Sequence, residues 1–252
     1  MVLNGDIFSK YLPMEMGVSI IMPFDRQPRV HTEPCKVLYL LHGLSDNHSS
    51  WLRMTNIERY AHAYNLAVIM PEGHHSFYSN MVYGGKYFTY LTEELPKVLA
   101  ATFQISTRRE DTFIAGLSMG GYGALMCGLR RPDRYGGCAG FSSAADIRQM
   151  IADDLNRTIS ETLVPVFGEK LEVPPEGDLF ALAEACALRP ATEQPQIFMT
   201  CGRQDFLHPY NEKLAEWMLR LKLPVRFEEW DGQHEWGFWD RSIQLALQHF
   251  LG

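Results

Sequence analysis

The sequence has no paired-cysteine motif. Its five cysteines, Cys35, Cys127, Cys138, Cys186 and Cys201, are odd in number and include no C-x-x-C. That spacing argues against zinc sites and against a disulfide framework. Most of the five lie in apolar segments, so buried free thiols in a reducing compartment are the expectation. Long hydrophobic runs are also missing. No stretch approaches the roughly 20 apolar residues a bilayer helix needs, and the opening MVLNGDIFSKYLPMEMG has no basic region followed by an apolar run. The chain reads as cytoplasmic, with no membrane partner. Positive charge is in short supply, with 23 basic against 30 acidic residues and a net charge of −7. That balance argues against nucleic acid or an anionic surface as a partner. No internal repeat or low-complexity tract is visible.

What is present suits one domain over residues 1–252. A chain of 252 residues, 46% hydrophobic and 21% charged, can bury a large core without cross-links. Val18–Met22 reads as a strand closed by Pro23, and the polar residues 24–34 as a loop. Near-continuous apolar runs at 35–43, 66–73, 111–118, 135–143 and 195–202 read as buried parallel strands. Between them, helices are expected at 51–64, within 86–103 with Pro96 as an interruption, and at 120–129. After them come a helix at 209–222, a strand at 225–230 and a helix at 237–251. Residues 144–195 break this rhythm and carry Pro165, Pro174, Pro175 and Gly177. They read as a small cap inserted over the site. The alternation predicts an α/β fold with a mostly parallel central sheet, helices on both faces, and ligands at the carboxyl ends of the strands.

One motif carries chemistry. Gly116-Leu117-Ser118-Met119-Gly120 is G-x-S-x-G with an apolar strand before it and a helical pattern after it, the context of a nucleophile elbow. A side chain two residues either side of the serine would collide with the neighbouring strand and helix, and the two glycines remove it. The turn lifts the Ser118 hydroxyl off the sheet and sets the helix N-terminus beside it. The Met119 N–H is then the first expected oxyanion donor.

A serine hydroxyl needs a base, and the base needs an acid to orient it. Three histidines follow Ser118: His208, His234 and His249. His249 lies in the last helix, whereas His234 lies in the loop DGQHEWGF between the last strand and that helix. Asp205 follows the strand 195–202, with room for one helix and one strand before His234. Asp231 and Glu235 are too close to His234 in sequence to serve it easily. The expected triad is Ser118, Asp205 and His234. The second oxyanion donor is expected from LLHGLSDNHSSW, where Gly43 permits the turn and Leu44 supplies its N–H. His42 is expected to bond the loop backbone rather than a metal, and His48, His74 and His75 lack metal-ligand spacing. Trp51, Tyr83, Phe88 and Trp236 are candidates for the substrate pocket, with core packing as the competing role.

The segments LYLLHGLSDNHSSWLRMTNIERY, TEELPKVL, TFIAGLSMGGYGAL, CGRQDFL and GQHEWGFWD together resemble the esterase D-like family of α/β-hydrolases. The resemblance is nearest to bacterial tributyrin esterases and to acetyl and feruloyl esterases, and it is weakest over 144–195. It implies an α/β-hydrolase fold and hydrolysis of short-chain acyl esters without a cofactor or metal. The substrate would be a small-molecule or carbohydrate ester. The same triad and the same Leu44 and Met119 amides carry over. Members of that family form oligomers, so a homo-oligomer is compatible with the resemblance. S-formylglutathione hydrolases belong to the same broad family and share the acyl-enzyme chemistry, so the motifs leave a thioesterase as the alternative. A catalytically silent binding protein on this fold is a third reading, opposed by the intact Ser, Asp and His.

Overall fold

The computed structural model describes residues 1–23, 34–154 and 158–252. The loop expected at 24–34 therefore lies, except for Pro34, outside the described residues, as do 155–157 of the expected cap. The strands are β1 (Val2–Ser9), β2 (Met14–Ile21), β3 (Lys36–Leu41), β4 (Leu66–Pro71), β5 (Thr112–Leu117), β6 (Gly137–Phe141), β7 (Gln196–Gly202) and β8 (Val225–Trp230). They form one sheet in the order β1-β2-β4-β3-β5-β6-β7-β8. The first two pair as an antiparallel hairpin, and β2 runs antiparallel to β4. From β4 to β8 every neighbouring pair is parallel. All carboxyl ends of that stretch therefore open on one edge.

The helices are α1 (Ser50–Met54), α2 (Ile57–Ala63), α3 (Tyr87–Thr89), α4 (Leu95–Thr102), α5 (Met119–Arg130), α6 (Ile147–Asp153), α7 (Thr158–Phe167), α8 (Leu179–Ala187), α9 (His208–Arg220) and α10 (Trp236–Leu251). Alternation along β3 explains why both faces are covered. Val37, Tyr39 and Leu41 point into a core shared with Met119, Leu125 and Met218 of α5 and α9. Leu38 and Leu40 point the other way, into a core with Ile57, Ala61, Ile243 and Leu247 of α2 and α10. A strand buried on both faces loses polar alternation, which is why these segments read as continuous apolar runs.

Two expected helices differ in detail. The run at 51–64 is two helices, because Thr55 is extended and turns its hydroxyl back to the Trp51 carbonyl at 2.6 Å. The run at 86–103 is α3, a π-helical turn at Tyr90–Glu94, and α4. Pro96 directly follows the π-helical turn, inside a continuous helical run from Tyr87 to Thr102, so the helix widens just ahead of the residue that cannot donate. Between β6 and β7, the irregular segment holds α6, α7 and α8. Tyr122 of α5 anchors it by donating to the Gly177 carbonyl at 2.7 Å.

Two close backbone approaches lie under the elbow. A Cβ on Gly116 would stand 2.4 Å from the Gly120 carbonyl oxygen, and one on Gly120 would stand 2.5 Å from the Leu41 oxygen. The neighbours are backbone and cannot move aside. Gly120→Ala is therefore expected to destabilise the protein by about 2 kcal/mol or more. Gly237, whose Cβ would meet nothing within 4 Å, is the control: Gly237→Ala should be neutral or stabilise by less than about 1 kcal/mol. Urea unfolding of both variants checks the contrast, and equal midpoints would refute it.

Candidate active site

Ser118 sits between β5 and α5 at φ 53°, ψ −117°. A left-handed φ is costly for a residue with a Cβ and persists only where the surroundings impose it. Here the Ser118 amide donates to the Phe141 carbonyl at 2.8 Å, and its carbonyl accepts from Tyr122 at 3.0 Å and Ala144 at 3.2 Å. The serine backbone is thus held by the helix after it and by the segment following β6.

Asp205 lies in the turn after β7 and is 4% exposed. Its Oδ1 accepts from the Leu207 amide at 2.9 Å, and its Oδ2 faces Nδ1 of His234 at 2.9 Å. One carboxylate thus shapes the turn before α9 and also orients the imidazole. The sequence spacing anticipated this pair, and the structure brings it together. Burial pushes the Asp205 carboxyl up, but the bonds from His234, the Leu207 amide and the Ser142 hydroxyl outweigh it and hold it below the ordinary range. The Nε2 atom of His234 and the Ser118 hydroxyl have no hydrogen-bond partner among the described residues. Catalytic hydrogen bonds often tighten only once substrate is bound.

Three supporting residues carried no motif. Trp239 stands edge-on to His234 with ring centroids 4.9 Å apart, and its indole N–H donates to the Ser142 hydroxyl at 3.1 Å. An indole only donates, so the serine keeps its own proton for the Asp205 carboxylate. On the open side Phe206 lies 4.9 Å from the imidazole and is 68% exposed. Phe206 directly follows the expected acid, and Trp239 lies in the first turn of α10, just after His234. Those spacings were the available signals.

The oxyanion candidates lie on either side of the elbow. A Cβ on Gly43 would be 3.8 Å from the Ser118 Cβ, which brings the loop after β3 against the serine. Among the described residues neither the Leu44 nor the Met119 amide has an acceptor. His42 turns Nδ1 to the Gly43 carbonyl at 2.7 Å. Among the described residues no group of three His, Cys, Asp or Glu side chains is arranged to hold a metal.

The aromatic pocket candidates divide. Trp51 is fully buried, packs edge-on against Phe141 and Trp236, and donates to the Leu41 carbonyl at 2.9 Å. This corrects its assignment to the pocket: its ring is spent on the core and its N–H on β3. Phe88 is likewise interior, under the Arg130 guanidinium. Trp236 is half-buried between Trp51 and Trp239, behind His234. Tyr83 is 60% exposed, and its amide donates to Pro165 of α7 at 2.9 Å. It belongs to the seam between the loop after β4 and the irregular segment.

Fold and site together define a serine esterase on the α/β-hydrolase scaffold. The family model described as "Putative esterase" matches residues 9–250, and the chain belongs to that esterase family. An acetyl esterase from Caldicellulosiruptor saccharolyticus is 33% identical, the match covering 98% of this chain and 97% of that protein. Two Staphylococcus aureus structures are similar at 31% identity. The fluorophosphonate-binding serine hydrolase F superposes with a TM-score of 0.90, covering 100% of this chain and 98% of that one. An S-formylglutathione hydrolase superposes with a TM-score of 0.86, covering 100% and 99%.

Asp205→Asn should reverse the tautomer that the imidazole needs and lower kcat by about 10⁴-fold. It also has a pH signature. A carboxyl held below its ordinary value stabilises the fold above about pH 4, and that contribution is lost as pH falls through its folded-state value. The stability gap between wild type and Asp205→Asn should therefore be full near neutrality and close in acid. Urea titrations across that range test the sign, and a gap that widened in acid would refute it.

Proposed function

We propose that the protein is a carboxylesterase that hydrolyses short-chain acyl esters, acetyl to butyryl in size, through an acyl-enzyme on Ser118. The observation that carries this reading is the strained serine at the elbow, with an Asp205–His234 pair attached to the same post-β6 segment. Ser118 attacks the ester carbonyl as His234 takes its proton. The developing oxyanion lies between the Leu44 and Met119 amides, and Asp205 stabilises the imidazolium. The imidazolium then protonates the leaving alcohol, and the same base activates water for deacylation. The likeness to an acetyl esterase along the whole chain supports the small acyl group. Exposed Phe206 beside His234 supports an ester with a flat or apolar group, such as a feruloylated or acetylated carbohydrate. Residues 144–195 act in this reading as a cap, and the five unpaired cysteines fit a cytoplasmic setting.

Similarity to an S-formylglutathione hydrolase gives thioester hydrolysis as the second reading, since the same acyl-enzyme serves both. Turnover of p-nitrophenyl acetate, methyl ferulate and S-formylglutathione decides between them. A strong preference for the thioester would overturn the first reading. Ser118→Ala should lose at least about 10⁴-fold in kcat and all labelling by a fluorophosphonate. Retained turnover would remove Ser118 from the mechanism.

A further inference from the structure

We propose that Glu72 is a positioning residue for the oxyanion hole, acting through His42 on the peptide that carries the Leu44 N–H. This rests on the assignment of Ser118 and Leu44 above.

The argument begins with one peptide plane. The Gly43 carbonyl and the Leu44 N–H belong to the same planar, trans peptide, so they point in opposite directions. Fixing the carbonyl fixes the direction of the N–H. The carbonyl is fixed by Nδ1 of His42 at 2.7 Å and by the Asp46 amide at 3.2 Å. A ring nitrogen that bonds a carbonyl must carry the proton, so the tautomer and the orientation of His42 both matter.

His42 is held in turn from the loop after β4. Its Nε2 accepts from the Gly73 amide at 2.9 Å and lies 3.0 Å from Oε1 of Glu72. The same oxygen accepts from the Gly73 amide at 3.1 Å and the His74 amide at 2.8 Å, while Oε2 accepts from the His48 amide at 3.3 Å. One carboxylate therefore holds the oxyanion loop at both ends, at the His42 ring with the Gly73 amide that they share and at the His48 backbone. It is itself anchored, because the Glu72 amide donates to the Gly17 carbonyl of β2 at 2.9 Å. His48 adds a second tie to that strand, with its Nδ1 2.9 Å from the Ser19 hydroxyl. Topology makes this possible. β4 lies between β2 and β3 in the sheet and is parallel to β3, so the loops after both emerge side by side.

The carboxylate is suited to this role because it stays charged. Burial pushes it up, but the neighbouring His42 and the His74 and His48 amides bring it down to about 2. The His42 carbonyl accepts from Tyr78 at 3.1 Å, so the histidine is held at ring and backbone alike. Nothing in this network touches the reacting atoms. Its effect is to leave the Leu44 N–H with one direction in which to point.

Glu72→Ala and Glu72→Gln provide the test, with Ser118→Ala as the control on the underlying assignment. The N–H is used fully only when the carbonyl oxygen becomes an oxyanion, so its misdirection should fall on kcat. For p-nitrophenyl acetate, Glu72→Ala should lower kcat by about 10- to 100-fold, short of the roughly 10²–10³-fold loss on removing a donor. KM should change by less than about threefold. Affinity for a trifluoromethyl ketone, which presents the oxyanion, should fall in parallel with kcat/KM. Glu72→Gln keeps an accepting oxygen without the charge and should lie between wild type and Glu72→Ala. It also carries the test alone if the alanine variant does not fold. Unchanged kcat in a folded Glu72→Gln protein overturns the proposal. So does a loss of kcat with ketone affinity unmoved, which is what general loosening would produce. If Ser118→Ala itself keeps full activity, the site assignment fails and not merely the role of Glu72.

Discussion

The close contact between α5 and β3 at Gly120 is the constraint on which the site is built. With no side chain at that position, the first turn of α5 rests on the Leu41 and His42 carbonyls. The strand-to-helix turn then becomes so sharp that Ser118 is forced into a left-handed backbone. The same contact draws the end of β3 under the elbow, so the loop that carries Leu44 begins beside Ser118. A strained serine, a helix N-terminus and an adjoining donor loop are thus consequences of one missing Cβ. The strain is opposed by burial on both faces of a long sheet and by the backbone bonds from Phe141 and Ala144.

Parallel pairing distributes the remaining parts. Each strand from β4 to β8 ends on the same edge, and each ending contributes something different. The loop after β3 carries the proposed Leu44 donor, and β5 delivers Ser118. The turn after β6 supplies Ser142, that after β7 Asp205, and that after β8 His234. No single loop has to be long or precise, because the register of the sheet sets their spacing. The Trp239–Ser142–Asp205–His234 chain links three of these endings from behind, so the His234 ring is oriented by the core as well as by its own loop.

Much of this could be read from residue order. Strands buried on both faces leave apolar runs that need no partner to be identified, and G-x-S-x-G between such a run and a helix is a local signature. Asp205 and His234 followed from chain order and from their positions just after strands. The aromatic residues could not be placed in that way. Trp51 and Tyr83 look equally suited to a pocket in sequence, yet the first is core and the second surface. What separates them is contact with Phe141, Trp236 and Leu41, residues distant along the chain. Glu72 and Ser142 were equally silent, since a carboxylate or hydroxyl after a strand acquires meaning only when the neighbouring strand is known. The break at Thr55 and the π-helical turn before Pro96 depend on local hydrogen-bond choices that apolar spacing does not encode.

The sheet also grades the site by depth. Ser118 leaves a strand that is buried along its whole length and flanked on both sides, whereas the loop bearing His234 leaves β8, a half-covered edge strand. Edge strands open at lower free energy than central ones. Heat or denaturant should therefore detach His234 from a Ser118 still seated in folded protein. The molecule would fall silent before it falls apart, and would recover its voice on cooling without having to refold.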